Sequence, residues 1–301
     1  MARTTTTQNS IALIGTGAVG TALAVLLQGA GYSISALAGR NRERTDALIK
    51  RLKISNVNAD NAAAIKNADV IFFCLPDDEL KDEIERCASS LPSFEGKILF
   101  HTSGALSSSL FEPMRNKGAS AASFHPLQTV PQDFSEISLK DFAVSLEGDQ
   151  EAVDCAVEIV NNIGAKPLLI QPEQKTTYHA AATLASNGLV GLSGVVEEMI
   201  DAVGLGEEGR EHFYKLMGQS LENSRSMTAP DAITGPASRG DIATLKQHLS
   251  SLRQYSPHIV PIYVVIGSHC VSLAIQSGKL SQERGEAILD MFSNELQGLT
   301  M

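Results

Sequence analysis

Short apolar runs recur through the first half of the chain, at residues 11–14, 32–38, 68–75, 97–100, 119–124, 142–146 and 166–170. The run at 68–75, ADVIFFCL, is apolar almost throughout, as expected of a parallel strand covered on both faces. A shorter run at 54–57 is a further strand candidate. Segments of helical spacing lie between the runs, at 21–28, 42–52, 61–66 and 150–163. Pro76-Asp77-Asp78 marks another helix start, with proline early and acids in the first turn. Strand and helix alternating in this way predict an α/β domain. After Gln174 the strand signals largely cease. Helical patterns cover 176–203, which is interrupted by glycines, then 207–225, 241–252 with Asp241 as a candidate cap, 257–277 and 281–297. The stretch 227–240, MTAPDAITGPASRG, reads as irregular. The predicted architecture is an α/β domain over residues 1–170 and an all-helical domain over 171–301.

The first apolar run ends in Gly15-Thr16-Gly17-Ala18-Val19-Gly20, and a small-residue helix follows at once. Strand, glycine turn and helix in this order are what a dinucleotide-binding βαβ unit requires. Gly15 permits the sharp turn, Gly17 keeps side chains away from a pyrophosphate, and Gly20 lets the helix pack close to the strand. The pyrophosphate would sit at the helix N-terminus, where N–H groups are free. The second run ends in Gly39-Arg40-Asn41-Arg42, with no acid at the tip to accept from a ribose 2′-OH. Two arginines there suit a 2′-phosphate and point to NADP; a solvated basic turn is the plainer alternative. The strand ending at Leu75-Pro76-Asp77 should place those three residues beside the cofactor, although Asp77 and Asp78 could serve only as caps. Cys74 reads as a buried strand residue rather than a nucleophile.

Two further strand tips, His101-Thr102-Ser103-Gly104 and His125-Pro126-Leu127-Gln128, should point into the same crevice. Ser103 and Gly104 could present a hydroxyl and amides to a substrate anion, and His125 and Gln128 could line the nicotinamide end. Both histidines could equally bond locally and shape the loops. In the helical half, Lys175, His179, Thr183 and Asn187 recur every four residues and share a helix face. Reduction of a C=O or C=N bond needs a proton donor opposite the nicotinamide, and His179 is the first candidate. Lys175, near the helix start, reads as solvated. Ser186 and Asn187 could orient substrate; a packing helix of small residues is the alternative. Arg239, in the Gly-Pro loop at 234–241, suits a substrate carboxylate, with an Arg239–Asp241 ion pair as the alternative.

The 301 residues leave room for two domains. A net charge of −10 without a basic block argues against a nucleic-acid partner. Four scattered cysteines show no metal-ligand spacing and fit a reduced, cytoplasmic protein with no metal. Residues 1–9 are polar, lack a signal-peptide core and read as a disordered tail. The stretch 259–275 contains Pro261, Ser268, His269 and Ser272 and is read as falling short of a membrane span. With 189–199 it is too apolar for a solvated surface, so the two stretches should meet each other, the first domain or a second subunit; the last of these is the expectation of a homodimer through the helical domain.

The stretches IGTGAVG, VIFFCLPDDEL, HTSGAL, FHPLQT, YHAAATLASN and ITGPASRGD resemble the family that joins a Rossmann-like NAD(P)-binding domain to the domain DUF2520. That family is similar to a wider group containing 6-phosphogluconate, 3-hydroxyisobutyrate, 2-dehydropantoate and pyrroline-5-carboxylate oxidoreductases. Ketopantoate-type reductases carry a Lys and two Asn at four-residue steps on the first helix of the second domain. This chain has His179, Thr183 and Asn187 at that spacing, so the Lys is replaced by His or shifted to Lys175. The resemblance and the residues together predict an NADP-dependent oxidoreductase. It would act on a small carboxylate-bearing oxo or imine substrate in an interdomain cleft, with Ser103, His179, Asn187 and Arg239 as site residues. A non-catalytic NADP-binding regulator is the alternative.

Overall fold

Among the described residues seven strands form one sheet: β1 (Ser10–Ile14), β2 (Ser33–Ala38), β3 (Val70–Phe73), β4 (Ile98–His101), β5 (Ser120–Leu127), β6 (Ala143–Gly148) and β7 (Lys166–Leu169). The computed structural model describes residues 9–54, 60–130 and 141–298. All seven long apolar runs form strands. Of the candidate at 54–57, Ile54 is in no strand and residues 55–57 lie outside the described residues, as do residues 1–8 of the polar N-terminal stretch. The spatial order is β2-β1-β3-β4-β5-β6-β7. The first five strands run parallel, β6 is antiparallel to β5, and β7 is parallel to β6. The chain leaves β1 for β2 on one side and returns to β3 on the other. The switch point therefore falls between the C-terminal ends of β1 and β3, where ligands of such sheets bind.

The helices of this unit are α1 (Ala18–Gly29), α2 (Arg42–Leu52), α3 (Asn61–Lys66), α4 (Asp77–Ser90), α5 (Glu112–Arg115), α6 (Gln150–Asn162) and α7 (Lys175–Thr183). Alternate residues of β1 serve opposite faces of the sheet. Ile11 and Leu13 join one core, Ala12 and Ile14 the other. β3 does the same. Phe72 packs at 4.9 Å on Phe100 and edge-on at 5.2 Å to Phe124, while Phe73 meets Phe111 on the opposite face. An all-apolar run is what burial on two faces demands.

The chain divides into two units, Met1–Ser186 and Asn187–Met301. The second contains α8 (Leu189–Ala202), α9 (Gly206–Ser226), α10 (Ala229–Ala232), α11 (Pro236–Arg239), α12 (Ile242–Tyr255), α13 (Val260–Gln276) and α14 (Gln282–Gly298). Its core is built from Leu245, Leu249, Leu252, Val264, Val271, Ile288 and Phe292. Asp241 caps α12 as expected, accepting from the Thr244 amide and hydroxyl.

Three sequence readings need correction here. The helix expected over 176–203 is interrupted at Leu184–Gly188, which forms a π-helical turn, while Gly191 and Gly194 sit harmlessly inside α8. The stretch 227–240 is not irregular throughout. Thr228 caps α10, and Gly235 (φ 93°) and Gly240 (φ 69°) bracket the single turn of α11. Pro257–Gln276, with a mean hydropathy of 1.8, is long and apolar enough to cross a membrane by length and composition. The scattered Ser and His are too few to lower that value. Core helices pass the same test, and here Val260, Val264, Val271 and Ala274 are buried in the unit's core.

Candidate active site

At the switch point the glycine turn is set by close approach of backbone to backbone. Gly15 adopts φ 103°, and a Cβ there would lie 2.2 Å from the Cys74 carbonyl oxygen. A Cβ on Gly20 would lie 1.9 Å from the Gly15 carbonyl oxygen. Around Gly17 there is nothing within 4 Å, so its Cβ position faces open space. No side chain caps α1 at Gly17, and the first-turn amides keep the positive end of the helix dipole. Two glycines enforce the turn and the third leaves the approach bare, an arrangement that fits a dinucleotide pyrophosphate. Thr16 is buried and shares a 2.8 Å hydroxyl contact with Thr45 of α2. Gly39 lies against this pair, since a Cβ there would meet the Thr16 hydroxyl at 2.3 Å.

Beside the turn lies a cavity of about 460 Å³ lined by Gly15, Gly39, Arg40, Asp60, Leu75 and Glu79, among others. Arg40 is exposed and donates to Glu79 at 2.6 Å. Asn41 caps α2 by accepting from the Arg44 amide, and Arg42 is exposed in the first turn. Leu75 lines the cavity. Pro76 is the N-cap residue of α4 without a side-chain bond, and Asp77 follows in the first turn. Cys74 is buried, and burial pushes its thiol up to about 12, consistent with an inert strand residue.

At the tips of β4 and β5 one face of the sheet turns polar. Leu99 and Ala121 belong to an apolar core, but His101, Ser123, Ser145 and Glu147 further along that face are all buried. The antiparallel register sets Ser123 opposite Glu147 and His125 opposite Ser145. Lys175, the first residue of α7, reaches into this layer and is 1% exposed. Its Nζ donates to the Ser103 carbonyl at 3.1 Å and to Ser123 Oγ at 2.5 Å. The expectation of a solvated Lys175 is therefore wrong: the start of α7 lies against the strand tips, and the long side chain enters the sheet layer. Burial lowers its ammonium to about 8, against the pull of Glu147 and Asp77. Burial and then Lys175 depress His101 to about 3, and burial with Lys175 and His179 depresses His125 to about 4. Both imidazoles are neutral at pH 7.

His125 Nδ1 and the Tyr178 hydroxyl are 3.1 Å apart, and the His125 and His179 rings meet edge-on at 5.8 Å. They converge at Gly104, where a Cβ would lie 2.4 Å from His179 Cδ2 and 2.8 Å from His125 Nε2. Ser103 Oγ accepts from the Ala105 and Leu106 amides, which leaves its proton to donate elsewhere. The structure thus brings together Ser103, Gly104, His125, Lys175 and His179. Asn187 and Arg239 belong to the second unit, and both are exposed. The sequence reading missed Ser123, Ser145, Glu147 and Tyr178. The alternation of Ser123 with His125, and of Ser145 with Glu147, was legible, but the register that aligns them was not.

Residues 2–126 match a Rossmann-like domain model, and residues 142–270 match DUF2520, a domain of unknown function. The chain joins a Rossmann-like domain to a DUF2520 domain. No curated protein is detectably similar in sequence. Among solved structures, a provisionally named NADP oxidoreductase from Bacteroides fragilis aligns with a TM-score of 0.72 at 20% identity, covering 88% of this chain and 99% of its own. A protein from Thermotoga maritima aligns at 0.68 with 25% identity, covering 88% and 98%. A reductive aminase from Aspergillus terreus, in complex with NADPH and ethyl-5-oxohexanoate, aligns at 0.58 with 14% identity, covering 97% and 94%. At these identities the likeness is one of fold.

Proposed function

We propose that this Rossmann-DUF2520 chain is an NADP-dependent oxidoreductase that reduces the carbonyl or imine carbon of a small, carboxylate-bearing substrate. The observation that carries the reading is the shared edge. β1, β3, β4 and β5 are parallel, so the glycine turn after β1 and the Ser103–Gly104–His125–His179 cluster lie at the same end of the sheet. Three strand spacings, about 14 Å, separate β1 from β5. NADPH, if bound at the turn, would supply the hydride. The amides of Gly17, Ala18, Val19 and Gly20 would hold the pyrophosphate, with Thr16, Gly39, Asn41, Leu75, Pro76 and Asp77 around it. The fold shared with a reductive aminase in complex with NADPH and ethyl-5-oxohexanoate supports the same assignment.

In this reading His179 is the proton donor, because it is partly exposed where Lys175 is sealed in. Neutral His125 orients it. Ser103 orients the substrate in the first unit; in the second unit Asn187 and Arg239 are candidates for substrate contact, Arg239 by a forked contact to a carboxylate. The test is a panel of small oxo acids and cyclic imines assayed for NADPH oxidation. Turnover of one class identifies the substrate group. NADPH binding with no turnover anywhere on a broad panel favours a regulator instead.

Cofactor choice rests on Arg40 and Arg42. Replacing both with alanine should weaken NADPH by about 1–3 kcal/mol, the loss of charge-assisted hydrogen bonds, and leave NADH nearly unchanged. Fluorescence titration of both cofactors measures this, and equal affinities in the unmodified protein would refute it.

We further propose a homodimer through the helical unit. Val190, Leu216, Leu221, Ile262, Val265 and Ile266 are exposed there, and an apolar groove of about 330 Å³ runs between Leu192, Val196, Ile262 and Ile266. Light scattering at micromolar concentration should give twice the chain mass of 32.0 kDa. A monomer would remove the proposal.

A further inference from the structure

One carboxylate in the polar layer has no part in the reaction proposed above. Glu147 is 3% exposed and stands on β6 directly opposite Ser123. Opposed residues of an antiparallel pair share a face, with Cβ atoms about 4.5–5.5 Å apart. Ser123 Oγ is also the acceptor for Lys175 Nζ, so carboxylate and ammonium flank one serine. Glu147 is held firmly. Its Oε1 accepts from the Ser108 amide at 2.8 Å and its Oε2 from the Ser108 hydroxyl at 2.9 Å. The Ser108 hydroxyl in turn accepts from Arg115 at 3.0 Å, and Arg115 pairs with Asp149 at 2.8 Å. Charges alternate along this line: Lys175, Glu147, Arg115, Asp149.

We propose that Glu147 is the fixed countercharge that keeps Lys175 protonated at neutral pH, and so acts as the positioning residue for the buried layer beneath the site. The groups facing Lys175 are Asp77 from α4, His101 from β4, His125 from β5 and Glu147 from β6, with Tyr178 and His179 on its own helix. Only Asp77 and Glu147 are carboxylates. Asp77 is exposed, so water and salt screen it, whereas Glu147 is screened far less. His101 and His125 are neutral at pH 7 and add no repelling charge. A charged Lys175 is the stronger donor to the Ser103 carbonyl, which fixes the strand tip beside Gly104.

The inference goes beyond the proposed reaction, and its readout in the free protein does not depend on that reaction. Lysine labelled with ¹³C at Cε would be followed by NMR across alkaline pH, the Lys175 signal being assigned by its loss in Lys175→Met. The unmodified protein should titrate near 8. Glu147→Gln should lower that midpoint by at least about one pH unit, a tenfold loss of proton affinity, while Glu147→Asp should stay near the unmodified value. A Gln variant that titrates like the unmodified protein overturns the proposal, as does an Asp variant that falls as far as Gln. If Glu147→Gln does not fold, the double variant Glu147→Gln/Lys175→Met decides. Recovery of folding supports the pairing of charges, and continued failure overturns it.

Discussion

Gly20→Ala and Gly15→Ala should each cost the Rossmann-like unit about 3–5 kcal/mol, a large share of the stability of an ordinary domain. The reason is steric and local. The new methyl would fall 1.9 Å from the Gly15 carbonyl oxygen in one case and 2.2 Å from the Cys74 carbonyl oxygen in the other. Neither obstacle is a side chain that can rotate away. At Gly15 the φ of 103° adds strain for any residue with a Cβ. Gly17→Ala should behave differently. Nothing lies within 4 Å of its Cβ position, so the unfolding midpoint should be nearly unchanged. The methyl would instead occupy the space through which a pyrophosphate approaches, and NADPH affinity should fall about tenfold or more. Denaturant melts and cofactor titrations on the three variants separate the effects. If Gly17→Ala binds NADPH normally, the turn does not hold a pyrophosphate and the cofactor assignment fails.

The second large effect concerns the proton. His179→Ala should lower kcat about 10²–10⁴-fold with little change in NADPH affinity, because general acid catalysis is lost only as charge develops. Arg239→Ala should mainly raise KM for the carboxylate substrate and leave an uncharged analogue unaffected. Lys175→Met carries a distinct signature in stability. In the folded protein Lys175 loses its proton near 8, but in the unfolded chain at the ordinary lysine value of 10.5. Between those values the unfolded state binds more protons, so folding stability rises with pH, and below about 8 the gain is absent. Lys175→Met should remove that rise. Comparing the unfolding midpoints of the two proteins at pH 7 and pH 10 measures it, and an equal rise in both would show that Lys175 is not the group responsible. If His179→Ala keeps full turnover while Lys175→Met abolishes it, the donor lies one helical turn earlier. If both retain turnover, this face of α7 is structural.

Much of the candidate site was legible because its signals are local. A glycine turn between an apolar run and a small-residue helix involves only the residues from Ser10 to Gly29, and the physics of close backbone approach is written into them. The tips at His101–Gly104 and at His125 were found as polar residues following apolar strands. Lys175 was misread because burial of a helix's first residue depends on where that helix docks, and no neighbour in the chain reports it. Tyr178 went unnoticed for a similar reason, since its partner His125 is 53 residues away.

The sequence by itself determined the succession of strands and helices, the turn that can receive a dinucleotide, and the loss of strand signals after Gln174. Each follows from side-chain periodicity and backbone freedom over a few residues, which neighbours in the chain decide between them. The tertiary structure alone decided that β6 turns antiparallel, and hence that Glu147 faces Ser123 rather than lying elsewhere on the sheet. It also decided that Lys175 is sealed against Ser123 and the Ser103 carbonyl, and that His125 and His179 meet over Gly104. These outcomes depend on register and docking between segments far apart in the chain. A shift of one residue in the β5–β6 pairing would turn Glu147 to the other face.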